Sequence, residues 1–388
     1  MRNFKQNIIY TFTVLSAVTT SCQDDFLGRD PLAQLSPSSS FNSPTQLELY
    51  THSFYGDVLP GATTIYMENQ GVDDIITSEL QPEVMGNRVL PVSGGGWSWT
   101  DLRNINFFLQ NYRAGGLSDE ATAPYVGVAR FFRAYFYFEK VKRFGDVPWY
   151  SEAIAANDST QLLKPRDSRM LVVDSILADL DYAIANLPAN KSVDQITRWT
   201  ALALKSRVCL YEGTWRKYHA DDVFGKDTQG QALTGWQELL QTCINASEEL
   251  MENGPYSIYL SSPGSAYHEL FASPEPLSTE VILARTFSAD LSLKHRINFY
   301  TVSTSNWKPG LEKKLVNSYL MADGSRFTDQ PGYETMILPE EMLNRDPRLS
   351  QTIRGPGYTR IGSSLPVAPN LGASVTGYQL TKFVSSPA

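Results

Sequence analysis

Trp97 and Trp99 stand two residues apart behind Gly94-Gly95-Gly96. In an extended segment, residues i and i+2 point to the same side, so the pair could present one aromatic surface. The chemistry of such a surface is stacking against the C–H faces of a pyranose ring, with amides, carboxylates and guanidinium groups nearby to bond the hydroxyls. The competing reading packs both indoles on the helix expected over 101–113. A second group, His295, Arg296, Asn298, Tyr300 and Trp307, lies in a polar aromatic stretch without helical periodicity, with Pro309-Gly310 behind it. It could bind the same class of ligand or be surface packing. Tyr66, near Asn69, is a weaker candidate of the same kind. Acid pairs occur at Asp73-Asp74, Glu248-Glu249 and Glu340-Glu341. Neighbouring side chains diverge on a helix and oppose each other on a strand, so these are solvated surface and not facing catalytic carboxylates. Asp74 alone, in a loop-rich stretch, is retained as a candidate for sugar hydroxyls. The four His are scattered, no nucleophile, zinc-protease or phosphate-loop motif occurs, and Cys22, Cys209 and Cys243 lack metal or redox spacing. An enzyme, a metal site and a cofactor are not expected.

The elements that must position these residues are helical in the first two thirds of the chain. Apolar residues recur with helical period at Leu47, Tyr50, Phe54 and Val58 (44–58, with Ser43 as cap and Pro44 first) and at Leu102, Ile105, Leu109 and Tyr112 (101–113). The same period places Val128, Phe131, Tyr135 and Phe138 on a helix over 124–144 that stops at Gly145 before Pro148. Three further stripes run Val173–Leu187, Leu204–Trp215 and Trp236–Leu250; Trp215, Trp236 and, just before the second stripe, Trp199 are expected in the core, with the two later Cys as small buried hydrophobes. Several helices come as consecutive pairs with small residues at Ala134, Ala201 and Ala203, the pattern of stacked helix pairs. From Pro255 onward the chain is rich in Pro, Gly, Ser and Tyr, and long stripes vanish. The connections 59–100 and 145–167 share that character, and recognition residues favour loops carried on a rigid layer. The fold class is therefore mainly α, tetratricopeptide-like helix pairs over 43–254 with an irregular, loop-rich lobe over 255–388.

The chain has 388 residues, 42% of them hydrophobic, and a net charge of −8. That is enough apolar material for a sizeable core and no surplus of cations for nucleic acid. With 7 Trp, 20 Tyr and 18 Phe, some aromatics are available for a ligand or partner. Residues 1–21 read as a leader: Arg2 and Lys5, then an apolar run too short to span a bilayer. Thr19-Thr20-Ser21-Cys22 resembles the lipobox of bacterial lipoproteins, which would make Cys22 the acylated residue and 22–42 a tether; a plain secretory signal with a chance Cys is the alternative. Gln23-Asp24-Asp25 resembles the signal that exports some lipoproteins to the outer face of the outer membrane.

Several stretches together resemble the SusD/RagB family. Phe131–Phe138 with Val141-Lys142-Arg143-Phe144-Gly145-Asp146-Val147-Pro148 is similar to its signature helix and turn, and Thr200–Trp215 to its second repeat helix. Asp24-Asp25-Phe26-Leu27, Leu315–Tyr319 with Asp323-Gly324, and Arg345-Asp346-Pro347-Arg348-Leu349 match in the family's order. The resemblance implies a surface-exposed outer-membrane lipoprotein that captures oligosaccharides, or peptides in some members, as the lid of a SusC-like TonB-dependent transporter. It also favours sugar-binding aromatics near Trp97. One departure is expected to matter: family members continue past a segment like Gly377–Phe383 into further helices, and a chain lacking them would expose an apolar helix face. Besides glycan capture, the sequence leaves open a peptide-capturing RagB-like protein, a truncated paralogue that docks to the transporter and binds nothing, and a glycoside hydrolase.

Overall fold

Ser43 is extended, and its Oγ accepts from the Gln46 backbone N–H to start the first helix, α1 (Pro44–Val58). The Gln46 side chain reaches back to the amide of Asn42 at 2.9 Å, so the two ends of the cap hold each other. The computed structural model describes residues 40–62, 64, 72–261, 264–288, 290–360 and 362–385. The leader, Cys22, most of the tether and Tyr66 lie outside them.

The remaining long helices are α2 (Thr100–Asn111), α3 (Asp119–Phe144), α4 (Arg169–Asn186), α5 (Arg198–Tyr218) and α6 (Trp236–Asn253). Each of the six stripes expected from periodicity is a helix. The correction is at the start of α3, which begins five residues before the expected 124. Ser118 caps it through Ala121 N–H, Asp119 and Glu120 occupy the electropositive first turn, and the helix continues through Pro124. It ends where Gly145 turns to φ 70°, ψ −119°, a conformation closed to side chains.

Two hairpins make the layer. In the first, Gly127 of α3 faces Leu187 just past the end of α4 and Arg133 pairs with Asp179, so the helices run antiparallel. In the second, Gly213 of α5 lies against Leu240 and Trp236 of α6, and Ser206 bonds Ser247 at 2.8 Å. A Cβ on Gly213 would stand 2.9 Å from Leu240 Cδ2, which is why the close crossing needs glycine there. Phe54, Phe108, Phe132, Tyr137, Ile176 and Val208 are fully buried in one core that joins α1 to α5. Trp199 is buried as expected. Trp215 and Trp236 are only half-buried, each under a cation: Arg169 lies 4.5 Å from the Trp215 ring and Lys217 5.2 Å from Trp236. Cys209 is buried, and desolvation pushes its thiol up to about 12. On α6, Leu239 and Ala246 are buried, whereas Ile244 and Met251 are exposed.

After α6 the elements shorten to α7 (Ala266–Ala272), α8 (Ile297–Val302), α9 (Lys313–Ser318) and α10 (Pro347–Thr352). Val316 of α9 and Leu349 of α10 join Leu311, Ile353 and Leu380 in a separate small core. The long connection after α1 reaches this core through an antiparallel pair of two-residue strands, β1 (Ile75–Ile76) and β2 (Gly310–Leu311). The mainly α, tetratricopeptide-like architecture expected from sequence is the one observed. No helix of the described residues is long and apolar enough to cross a membrane.

Two charge clusters are buried inside the helical layer. Arg133 binds Asp179 bidentately, at 2.6 and 2.7 Å, and Arg169 and Arg216 converge on Glu212 at 2.8 Å. Removing one partner of such a pair strands a charge in low dielectric. Arg133→Ala leaves Asp179 only the more distant Arg130, at 3.6 Å, and is expected to lower stability by about 3 kcal/mol, whereas Arg133→Met with Asp179→Leu recovers most of the loss. Urea unfolding of the single and double variants checks this.

Candidate functional site

The Gly94–Gly96 turn is built by three consecutive glycines in the left-handed region and pinned to the end of α3: Arg143 Nε donates to the Gly95 carbonyl at 2.6 Å, and Lys140 Nζ donates to that of Gly96. This delivers Trp97 and Trp99 to the start of α2. The extended geometry expected between them is not found. Trp99 has φ −123°, ψ 7°, and the two rings meet edge to face, 5.1 Å apart at 79°, so they make an L-shaped corner and not one flat platform. Trp99 is the inner wall, half-buried against Phe136, Tyr137 and Tyr150. Trp97 is the outer one, 39% exposed, packed on Phe144, with the Arg166 guanidinium 5.0 Å from its ring centroid.

These residues line a cleft of about 530 Å³ with Thr100, Arg103, Tyr150, Glu152, Lys164 and Arg166. Its far wall, residues 148–152, is held from below. Tyr137, fully buried, accepts from the Tyr150 amide at 2.6 Å and donates to the Pro148 carbonyl at 3.3 Å, and burial raises its phenol pKa far above the ordinary value. Asn106, also fully buried, donates to the carbonyls of Tyr150 and Glu152 at 2.8 and 3.1 Å and accepts from Arg133 at 3.4 Å. Asn106 is therefore used up as a wall tie, and Thr100, Arg103, Glu152 and Arg166 are the exposed polar groups of the cleft, with half-buried Lys164 beside them. Glu152 is the one carboxylate among the described lining residues. Among the described residues no group of His, Cys, Asp or Glu is placed to hold a metal ion.

The second predicted group divides. His295, Arg296 and Asn298 line another cleft, of about 430 Å³, with Phe299, Val302, Arg354, Tyr358 and Arg360. Asn298 exchanges bonds there with Ser385, Nδ2 donating to Oγ at 2.8 Å and Oδ1 accepting from its amide at 3.3 Å. Tyr300 and Trp307 do not line it. Their rings pack on one another 4.2 Å apart, and the Trp307 carbonyl accepts from the Ser78 amide beside β1. Asp74 is exposed at the start of β1 and lines neither cleft; its carbonyl accepts from the Glu312 amide, while Asp73 pairs with Lys314. The sequence reading thus placed Trp97 with Trp99, and Arg296 with Asn298, but missed Arg103, Tyr150 and Glu152 in the first cleft and Arg354, Tyr358 and Arg360 in the second. These come from elements remote in sequence, and no local pattern marks them.

Two family models match. One, described as "Starch-binding associating with outer membrane", covers residues 46–210, and the other, the SusD family, covers residues 279–388. A SusD-like protein of Formosa agariphila is 22% identical over 88% of this chain and 67% of its own length. Among solved structures, a SusD-like protein of Bacteroides fragilis superposes with a TM-score of 0.69 at 20% identity, over 93% of this chain and 73% of that one. A SusD-like carbohydrate-binding protein of the same species gives 0.64 at 20% identity, over 84% of this chain and 62% of that one. The chain thus spans roughly three fifths to three quarters of the length of these proteins.

Because the cleft wall hangs on Tyr137, Tyr137→Phe leaves the Tyr150 amide without its acceptor at a cost of about 1–3 kcal/mol. Hydrogen exchange at Tyr150 is expected to accelerate by about tenfold or more, while exchange within α5 and α6 is unchanged.

Proposed function

This chain belongs to the SusD/RagB family, and from that premise we propose that it captures oligosaccharides at the Trp97 cleft and delivers them to a SusC-like TonB-dependent transporter. The observation that carries the reading is the corner itself: an exposed indole at the mouth, a second at right angles behind it, and exposed Arg103, Glu152 and Thr100 within the same cleft. Indole faces suit the C–H faces of pyranose rings, and the polar groups suit their hydroxyls. The size of the cleft suits a short segment of glycan. Capture is non-covalent in this account, made by aromatic stacking and hydrogen bonds.

Placement at the membrane follows from the leader and from Cys22, whose acylation would anchor the chain at the outer membrane, facing outward. The family model's association with the outer membrane supports that placement. The transporter is the partner to which a tethered binding layer would pass its ligand.

A glycan screen followed by calorimetry tests the reading. Trp97→Ala is expected to weaken the best oligosaccharide by about tenfold, the worth of one stacking contact, while a cooperative melting transition is kept and lowered only by the loss of the packing on Phe144 and Trp99. Tyr218→Ala, on α5 and outside the cleft, should leave affinity unchanged. Binding of peptides and of no saccharide would contradict the proposal.

A further inference from the structure

The second cleft carries a charge pattern that sugar hydroxyls do not require. Four of its lining residues, His295, Arg296, Arg354 and Arg360, are basic, and among the described residues no Asp or Glu lines it, in a chain whose net charge is −8. Arg354 is only 3% exposed. Its Nη1 donates to the Ala368 carbonyl at 3.1 Å, and its Nε has no hydrogen-bond partner among the described residues. In the helical layer Arg133 has Asp179, and Arg169 and Arg216 share Glu212, while in this lobe buried Arg345 is held by the carbonyls of Glu341, Val316 and Tyr319; Arg354 has the single Ala368 carbonyl and faces a cleft. A desolvated guanidinium without a counter-ion is costly, and burial pulls the Arg354 pKa down accordingly.

We propose that this cleft binds the anionic substituent, carboxylate or sulfate, of an acidic saccharide. The anion would complete the bonding of Arg354 and take charge-assisted bonds from Arg296 and Arg360 at the rim. Phe299, 50% exposed, and Tyr358, whose ring lies 5.1 Å from the Arg354 guanidinium, give the sugar ring a face to rest on beside its charge. A neutral sugar could use the aromatic faces but leaves the cations unanswered. The inference rests on the reading of the chain as a glycan binder and specifies the class of glycan.

The test uses the full chain and matched pairs of oligosaccharides: galacturonate and mannuronate oligomers against their methyl esters, and sulfated galactans against their desulfated forms. In at least one pair the charged member is expected to bind about tenfold tighter or more, and the responding pair distinguishes carboxylate from sulfate. Arg296→Gln with Arg360→Gln should abolish that preference. Both residues are exposed, so an unchanged melting transition verifies the fold, and the buried Arg354 is left intact. Equal or tighter binding of the neutral members throughout, or a preference that survives the double variant, overturns the inference while leaving glycan capture standing. Binding of tetraglutamate with no saccharide bound overturns both.

Discussion

The pairing of Arg133 with Asp179 is the contact on which the rest of the site depends. It joins the middle of α3 to the middle of α4 inside the core, and the same guanidinium reaches Asn106 on α2 and the Ser151 carbonyl, both at 3.4 Å. Asn106 in turn holds the carbonyls of Tyr150 and Glu152. A charge that could not be buried alone is thus spent on fixing three helices and one loop in a single register. One helical turn along, Tyr137 holds the other end of that loop, with Trp149 stacked on its ring at 4.2 Å. Trp97, Trp99 and Tyr150 meet at a corner because the surfaces behind them cannot shift independently.

The turn after α3 works the same way. Gly145 reverses the chain in a conformation open to glycine, and buried Asp146 then accepts from the amides of Arg169 and Thr228 at 2.9 and 2.6 Å. The second half repeats the device with different residues. Arg345 donates to the carbonyls of Glu341, Val316 and Tyr319, while Asp346 caps α10 through the Arg348 amide. Tyr378 donates to buried Glu341 at 2.8 Å, and Gln379 accepts from the Asn370 amide. The motifs through which this chain resembles its family are largely ties of this kind. They specify where the loops are held and leave the loops' own residues free to suit a ligand.

That division explains what the sequence made legible. Helical period is a local signal, and it located α1 to α6 because each buries one face against the same core. The start of α3 escaped it, since Pro124 reads as a boundary whereas Ser118 supplies the actual cap. The aromatic corner was half legible. Its two Trp stand two residues apart in sequence, but their angle is set by Trp99 turning into the first residues of α2, which spacing alone does not encode. Arg354 and Arg360 were not legible at all, because nothing in Gly355-Pro356-Gly357 announces that the loop returns the arginines to α8. Tyr300 and Trp307 looked like ligand groups from composition and instead satisfy each other.

Hydrogen exchange of the full chain, with and without the tightest oligosaccharide from a glycan screen, tests the account most directly. It predicts protection on binding at residues 95–106 and 148–166, the two sides of the Trp97 cleft, with α5 and α6 unaffected. Protection confined to α5 and α6, or none at saturating ligand, would contradict it.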